Sequence, residues 1–147
     1  MEAKTIKVKY FTDIDPLEFI GGREHSAWVD LRCAEDVEMK EGEFRLIPLG
    51  VAMKLPSGYE AQMAPRSSTF KKYGILLANS IGIIDPTYCG SNDQWMFPAY
   101  AARATKIEKN TRIAQFRLQE LQPMLEFQVV DELEDESRGG IGSTGDK

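Results

Sequence analysis

Polar and apolar residues alternate along most of this chain, and this pattern constrains the fold more than any other feature of the sequence. Ile6, Val8 and Tyr10 alternate with polar residues. Further alternating runs lie at residues 44–48, 51–55, 113–118 and 127–130. Because successive side chains of a strand point to opposite faces of a sheet, each run predicts a half-buried β-strand. Turn residues separate the runs, and many short strands with frequent turns indicate an all-β sandwich or barrel.

One short segment is the exception to the alternating pattern. Residues 67–73 are predicted to be helical, because Ser67 or Ser68 can cap the start of the segment and Gly74 can end it. The chain contains no repeat of about 20–50 residues, so the sequence does not indicate a solenoid or a propeller.

The composition indicates one globular domain with an acidic balance. The chain has 147 residues, which is the size of a single domain. Asp and Glu outnumber Lys and Arg by 23 to 18, and the formal net charge is −5. A broad basic surface for a nucleic-acid polymer is therefore not expected, although a local basic site for one small polyanion is compatible with this charge.

We expect no membrane span, no secretion signal and no zinc site. The longest apolar run, residues 95–102, is interrupted by Pro98 and is far shorter than the roughly 20 residues that a membrane-spanning helix needs. The N-terminus lacks the apolar core of a signal peptide. Cys33 and Cys89 form no CxxC pair, and a single histidine cannot complete a zinc site with them. A reduced, cytoplasmic setting is therefore expected.

The C-terminal segment, residues 131–147, differs in composition from the body of the chain at 1–130. Residues 131–136 contain five acids, and residues 138–145 contain four glycines, two hydroxyl residues and Arg138. Neither stretch can bury enough apolar area to offset the entropy of ordering it, so we expect a mobile arm on an acidic hinge. The arm matches the GxGxxG pattern, but a dinucleotide-binding loop needs a following helix. Its N–H groups and arginine suit a mobile phosphate clamp, the alternative being a frayed terminus without a role.

Three further segments carry residues that phosphate chemistry uses. At residues 64–69 an arginine precedes three hydroxyl residues at a predicted helix start, which suits an anion site or merely a helix cap. At residues 79–90 Asp85 follows an apolar run and precedes Tyr88, which suits a general base or an ordinary turn aspartate. Residues 112–116 are, in isolation, a half-buried strand with two polar residues on one face.

The order and spacing of these segments resemble the trimeric dUTPase family over essentially the whole chain. The five motifs of that family are matched in order by residues 27–31 (AWVDL), 65–68 (PRSS), 79–90 (NSIGIIDPTYCG), 112–115 (RIAQ) and 138–145 (RGGIGSTG). The third and fifth matches are long and specific to the family.

This resemblance implies an all-β jelly-roll subunit that assembles as a homotrimer. Each active site would draw on all three subunits, and the C-terminal arm would close over a neighbouring subunit's site. The implied reaction is hydrolysis of dUTP to dUMP and pyrophosphate, which keeps uracil out of DNA and supplies dUMP for thymidylate synthesis. The implied cofactor is Mg²⁺, held mainly by the substrate phosphates, with Asp30 in contact through water.

The resemblance also implies a role for individual residues. Asp85 would orient and deprotonate the attacking water, with Arg66, Gln115 and Arg138 completing the catalytic set. Tyr88 would stack on the deoxyribose and exclude a 2′-hydroxyl. The implied substrate-binding residues are Arg66, Ser67, Ser68, Asn79, Gly82, Ile83, Ile84, Asp85, Tyr88, Asp93, Gln115, Arg138, Gly140, Ile141, Gly142, Ser143 and Thr144.

The chain departs from the family pattern at three places. Trp28 replaces the usual glycine of the first motif, Ile141 replaces the arm's usual uracil-stacking aromatic, and residues 91–95 are more polar than usual. We hypothesise that Trp95 supplies the aromatic lid over uracil that Ile141 cannot. The alternative is that Trp95 is a core or trimer-contact residue.

Two other functions are compatible with the sequence alone. A dCTP deaminase shares the fold and the Ile-Asp-Pro turn at residues 84–86, but it needs a glutamate shortly after the next glycine. After Gly90 the next acid is Asp93, and the next glutamate is Glu108. The second alternative is a nucleotide-gated regulator that binds a repressor protein. Some phage-borne members of the family resemble such switches.

Overall fold

The computed structural model describes residues 3–18 and 27–141 of the chain, and these residues form short strands and a single short helix. The elements in chain order are β1 (Lys7–Tyr10), β2 (Val29–Arg32), β3 (Val37–Met39), β4 (Phe44–Pro48), β5 (Val51–Lys54), β6 (Tyr59–Pro65), α1 (Thr69–Tyr73), β7 (Ile75–Leu77), β8 (Gly82–Ile84), β9 (Met96–Ala101), β10 (Thr105–Ile107) and β11 (Arg112–Glu120). Within the described ranges, no helix has the length and apolar character needed to cross a membrane.

The strands pair in four antiparallel sheets. The largest has the order β2-β11-β6-β8, and a second has the order β4-β9-β7. The other two are the pairs β1-β5 and β3-β10. Most neighbouring strands are distant in sequence, which is typical of a jelly roll, and the predicted all-β jelly-roll subunit is confirmed.

The alternating pattern of the sequence becomes a one-sided core. Along β9, Phe97, Ala99 and Ala101 are buried, whereas the residues between them face outward to a greater extent. The same alternation buries Ala61 and Met63 on β6. The largest side chains with almost no exposed surface are those of Trp95, Phe97, Leu31, Met39, Ile47, Leu49, Met53, Met63, Ile75, Ile107, Ile113 and Val37. Alternation therefore predicts which face of each strand is buried.

The single helix is shorter than predicted. It begins at Thr69 with Ser68 at the N-cap position, and the Ser68 side chain makes no capping hydrogen bond. Gly74 ends it as predicted, because its φ of 65° lies in the left-handed region and its N–H donates to the Phe70 carbonyl. A side chain at Gly74 would also collide with Arg103, whose Cγ lies 2.6 Å from where a Cβ would stand.

The predicted strand at residues 127–130 is wrong for the single chain. The last strand ends at Glu120, and residues 121–141 form neither helix nor strand. Phe127 and Val129 are 87% and 95% exposed. An alternating segment forms a strand only beside a partner strand, and no strand of the described part of this chain lies beside it.

Candidate active site

The register of the four-stranded sheet brings three of the five motif segments to one place. On β11, Gln115 lies opposite Asp30 of β2 and opposite Ala64 of β6. Residues paired across antiparallel strands share a face, so Asp30 and Gln115 point to the same side of the sheet. The Gln115 amide Nε2 donates to the Pro65 carbonyl at 3.1 Å, directly before Arg66. The first, second and fourth motifs therefore converge on this face.

Asp30 lies between two arginines at this point. Its Oδ1 is 3.1 Å from Nε of Arg66, and its Oδ2 is 3.4 Å from Nη1 of Arg112. The three side chains are each roughly one-third to one-half exposed. Two guanidinium groups against one carboxylate leave a net positive charge facing solvent, which suits an anionic ligand.

The start of α1 is held by a buried hydroxyl that the sequence did not single out. Thr69 is 1% exposed, and its Oγ1 accepts the Arg66 N–H at 2.9 Å and donates to the Ile113 carbonyl at 2.8 Å. This bridge fixes the backbone of Arg66 against β11. Ser67 is exposed and the hydroxyl of Ser68 is not used in a cap, so neither is consumed by the helix. The sequence feature that could have pointed to Thr69 is its position as the third of three hydroxyl residues after Arg66.

Asp85 follows β8 in a tight turn that keeps its carboxylate charged. The Asp85 Oδ1 accepts the Thr87 hydroxyl at 2.6 Å and the Thr87 N–H at 2.9 Å. These bonds, the hydroxyl first, lower the pKa of Asp85 from its ordinary value of 3.8. Asp85 is exposed, so it meets solvent as an ionised acceptor. Thr87 was not predicted, although a threonine two residues after an aspartate is a common turn pattern.

A cavity of about 290 Å³ lies beside Asp85. Its walls come from the end of β8, the following turn and the start of β9: Ile83, Ile84, Asp85, Tyr88, Gln94, Trp95 and Met96. The Tyr88 hydroxyl donates to the Gln94 carbonyl at 2.8 Å, which fixes the phenol ring at the cavity wall. A mainly apolar hollow with a fixed aromatic ring and one carboxylate suits a small ligand with a polar edge.

The hairpin before Asp85 requires close packing and a strained turn. Gly82 lies against β6, where an added Cβ would stand 2.9 Å from Met63 Cε and 3.1 Å from Met63 Cβ. Ser80 has a φ of 63°, which non-glycine residues seldom adopt. The Ser80 N–H donates to the Leu77 carbonyl and the Ile81 N–H to the Asn79 carbonyl. Asn79 and Ile83 are exposed beside this turn.

Trp95 corrects one hypothesis from the sequence. Its side chain is fully buried and its ring packs edge-on against Phe116 at 5.1 Å between centroids. Its Nε1 has no hydrogen-bond partner among the described residues. An indole held in the core cannot reach out to stack on a base, so Trp95 is a core residue and not a uracil lid.

The turn at residues 89–93 is held by Asp93. Its Oδ2 accepts the Gly90 N–H at 2.8 Å, and a Cβ at Gly90 would stand 2.9 Å from the same oxygen. In the described residues Asp93 therefore has a structural contact, and its predicted contact with substrate stays a prediction. Near the first motif, Trp28 lies 5.8 Å from the guanidinium carbon of Arg117, so Trp28 packs beside β11.

One chain does not bring all the predicted catalytic residues together. Ile84 pairs with Ala61, so Asp85 lies level with Glu60 at the far end of β6 from Arg66. The chain from Glu60 to Arg66 spans about 20 Å at the usual rise of a strand. Neither side chain can bridge that distance. The Asp85 cavity and the arginine cluster are therefore separate regions of a single subunit.

The predicted arm is only partly described. Arg138, Gly140 and Ile141 are exposed. The predicted contacts of Gly142, Ser143 and Thr144 lie outside the described residues. Within the described ranges, no group of three or more His, Cys, Asp or Glu side chains could hold a metal ion.

The sequence matches known proteins over most of its length. A sequence model of the dUTPase family matches residues 19–145. The SPbeta prophage-derived deoxyuridine 5′-triphosphate nucleotidohydrolase YosS of Bacillus subtilis is 52% identical over 142 residues, covering 97% of this chain and 99% of that protein. A deoxyuridine 5′-triphosphate nucleotidohydrolase of Streptomyces avermitilis is 37% identical, covering 90% of this chain and 77% of that protein.

Solved structures show the same fold. A mutant dUTPase of Staphylococcus bacteriophage 80alpha with dUpNHpp superimposes with a TM-score of 0.77 at 23% identity, covering 97% of this chain and 99% of that one. The dUTPase of Streptococcus mutans gives a TM-score of 0.69 at 24% identity, covering 81% of this chain and 98% of that one. By its family match and by its relatives, this chain belongs to the dUTPase family.

Proposed function

We propose that this protein hydrolyses dUTP to dUMP and pyrophosphate. The observation that carries the proposal is the ionised Asp85 carboxylate at the edge of a cavity whose wall includes the fixed ring of Tyr88. The relatives named deoxyuridine 5′-triphosphate nucleotidohydrolase support the same activity. Family membership also favours this hydrolase over the dCTP deaminase alternative.

Asp85 acts as the general base in this proposal. Water attacks the α-phosphorus, Asp85 accepts its proton, and the bond to the bridging oxygen of the leaving pyrophosphate breaks. The Asp85 carboxylate is ionised at neutral pH and can accept a proton, while its lowered pKa makes it a weak base whose contribution depends on its position against the water. Arg66, Gln115 and Arg138 position the phosphate chain, and the two arginines neutralise its charge, which is most of what a protein contributes to phosphoryl transfer.

The cavity beside Asp85 is where we place the nucleoside. The exposed Asn79 and the backbone from Gly82 to Ile84 present polar groups that can match the uracil edge. A site whose donors and acceptors match one base rejects another, because the wrong base leaves buried polar groups unpaired. The Tyr88 ring, anchored by its hydroxyl, is placed to pack on the deoxyribose and leave no room for a 2′-hydroxyl.

A complete site in this proposal combines residues of different subunits. The separation of about 20 Å between Asp85 and Arg66 within one chain is the main support. The exposed apolar residues Met124, Phe127 and Val129 also suit burial against another copy. We therefore infer a homotrimer in which residues 131–147 close over a neighbouring subunit's site.

Mg²⁺ is the metal we propose, with the substrate triphosphate as its main ligand. Such an ion prefers oxygen ligands, retains several waters and needs no dedicated protein cage. It supplies charge neutralisation on the phosphates when bound. Both Asp30 oxygens face arginines, so the predicted water-mediated contact of Asp30 with the ion fits this arrangement poorly. A structure of a mutant dUTPase from phage phi11 of S. aureus reveals the coordination of a structural Mg(II) ion in that protein.

The decisive experiment compares pyrophosphate release from dUTP, dCTP, dTTP and UTP with Mg²⁺ present. We expect release from dUTP alone at an appreciable rate. Ammonia release from dCTP would instead support the deaminase, and no turnover of any of the four would refute the proposal. Cytoplasmic location and a repressor partner stay predictions.

A further inference from the structure

We propose that Arg112 is a positioning residue for phosphate binding, which acts through Asp30 to keep the guanidinium of Arg66 available to the substrate. The inference rests on the proposed function, because it assigns a role within the triphosphate site. It concerns a residue of the fourth motif to which the resemblance assigned no individual role.

Asp30 forms its ion pair with Arg66 from the side of the guanidinium. The contact is made through Nε of Arg66, at 3.1 Å from Oδ1. No hydrogen bond among the described residues engages the two terminal nitrogens of that guanidinium. Arg66 is 31% exposed at its side chain, so these nitrogens can present four N–H donors to a phosphate. A side-on contact of this kind orients an arginine without using its fork.

Arg112 competes with Arg66 for the Asp30 carboxylate. A carboxylate and a guanidinium alone favour a bidentate pair with two parallel N–H···O bonds. Such a pair would use the donors of Arg66 that a phosphate needs. Arg112 Nη1 donates to Oδ2 of Asp30 at 3.4 Å and thereby occupies the second oxygen. Asp30 is divided between two arginines, and the pull of Arg112 on Oδ2 opposes a bidentate pair with Arg66.

A β-bulge in β11 places Arg112 beside Asp30. The pairing of β11 with β2 shifts in register between Arg112 and Ala114, so the strand contains a bulge. Ile113 and Ala114 are consecutive and both buried, which strict alternation does not allow. The bulge thus turns Arg112 onto the face that carries Asp30. Bulges commonly re-aim a side chain beside a functional site.

The test is a double-mutant cycle between positions 30 and 112, read by binding of inorganic tripolyphosphate. This probe needs neither the nucleoside cavity nor catalysis. We expect Arg112→Met to weaken tripolyphosphate binding roughly tenfold, to raise KM for dUTP similarly and to change kcat far less. Arg112→Lys retains the charge beside Asp30 and is expected to restore most of the binding. Arg117→Met on the same strand is the matched control, with binding unchanged.

Whether Arg112 acts through Asp30 is decided by making Arg112→Met in a protein that already carries Asp30→Asn. In Asp30→Asn, which cannot form the charged bidentate pair, Arg112→Met is expected to have little further effect, because the carboxylate through which it acts is gone. Equal losses in both backgrounds would overturn the proposal, since Arg112 would then contact the phosphates itself. Unchanged binding in Arg112→Met would overturn it as well. If the unmodified protein does not hydrolyse dUTP but the double-mutant cycle gives the expected losses of tripolyphosphate binding, only the proposed function is refuted.

Discussion

Asp85 owes its lowered pKa to its own turn and not to burial. Its carboxylate is exposed, and Thr87 provides the two hydrogen bonds that lower its pKa. Asp13 also has a lowered pKa, in this case because Lys109 donates to it. Asp13 and Asp85 thus both have lowered pKa values. Of the two, only Asp85 borders the cavity.

Replacing Asp85 by asparagine is expected to lower kcat by about 10²- to 10⁴-fold, because the side chain can no longer accept a proton. Nucleotide affinity should change little, since the shape of the side chain is kept. Steady-state kinetics on dUTP together with calorimetric binding of a non-hydrolysable analogue provide the measurement. Asp13→Asn is the matched control and should retain full activity. Retained turnover in Asp85→Asn would mean that another group is the base.

Replacing Thr87 by valine removes the hydroxyl that contributes most to the lowered pKa of Asp85. The base works when ionised, so activity is lost as pH falls through its pKa. With that pKa moved back up towards 3.8, the acidic limb of the kcat/KM profile should move to higher pH. Rates measured between about pH 3 and 6, with circular dichroism to confirm that the protein stays folded, check this. Thr87→Ser keeps an O–H and should leave the limb in place, whereas an unmoved limb in Thr87→Val would contradict the assignment.

At the scale of elements, the start of α1 and strand β11 are joined by one buried hydroxyl. Thr69 accepts from the Arg66 backbone and donates to the Ile113 carbonyl. This bond connects the second motif to the fourth across the sheet. The first residue of the short helix therefore helps to hold the backbone of Arg66 at the end of β6.

Thr69→Val should destabilise the fold by about 1–3 kcal/mol, because it leaves a buried N–H and a buried carbonyl without this partner. KM for dUTP should rise at the same time, since Arg66 loses its backbone anchor. Urea unfolding measures the first effect and initial-rate kinetics the second. Thr69→Ser retains the hydroxyl and should retain most of the stability. A stable Thr69→Val protein with unaltered KM would show that the bridge does not position Arg66.

At the scale of the whole molecule, our proposal makes assembly a requirement for activity, because the two halves of the proposed site lie far apart in one chain. Asp85 and Arg66 lie at opposite ends of β6, and the segment after Glu120 leaves apolar side chains exposed. Both features have a simple explanation if neighbouring copies supply the missing partners. This arrangement can be tested without a structure of the assembly.

Mixing two inactive variants should regenerate activity if each site takes Asp85 and Arg66 from different subunits. In random trimers of Asp85→Asn and Arg66→Ala chains, about one quarter of the sites would have both residues intact. Co-refolding or co-expression of the two variants, followed by a pyrophosphate assay, measures this fraction. Each variant refolded alone is the control. No recovery in verified mixed trimers would place both residues in a site of one chain.

Truncation after Glu136 should abolish most dUTP hydrolysis while the fold and the oligomer persist. The removed residues contain Arg138 and the glycine-rich segment, and they contribute no strand to the described sheets. Thermal unfolding and size-exclusion chromatography check the body, and the pyrophosphate assay checks the arm. Full activity in the truncated protein would exclude a clamp role for the arm.

Local pattern was enough to predict much of this molecule. Alternation predicted β1, β4, β5 and β11 and the all-β class, because side-chain direction in a strand depends only on position in the chain. Gly74 ended the helix for an equally local reason, since it can adopt a left-handed φ without strain. Residue type and local context also selected Asp85 and Arg66 as candidates, and the resemblance to the dUTPase family added Gln115.

Only the tertiary structure decided which of these residues meet. Pairing register determined that Asp30 shares a face with Gln115, and a bulge determined that Arg112 joins them. Three-dimensional packing placed Trp95 in the core and left residues 127–130 without a partner strand. These outcomes depend on contacts between segments far apart in sequence. A local period specifies which way a side chain points within its own strand, but not which strand lies beside it.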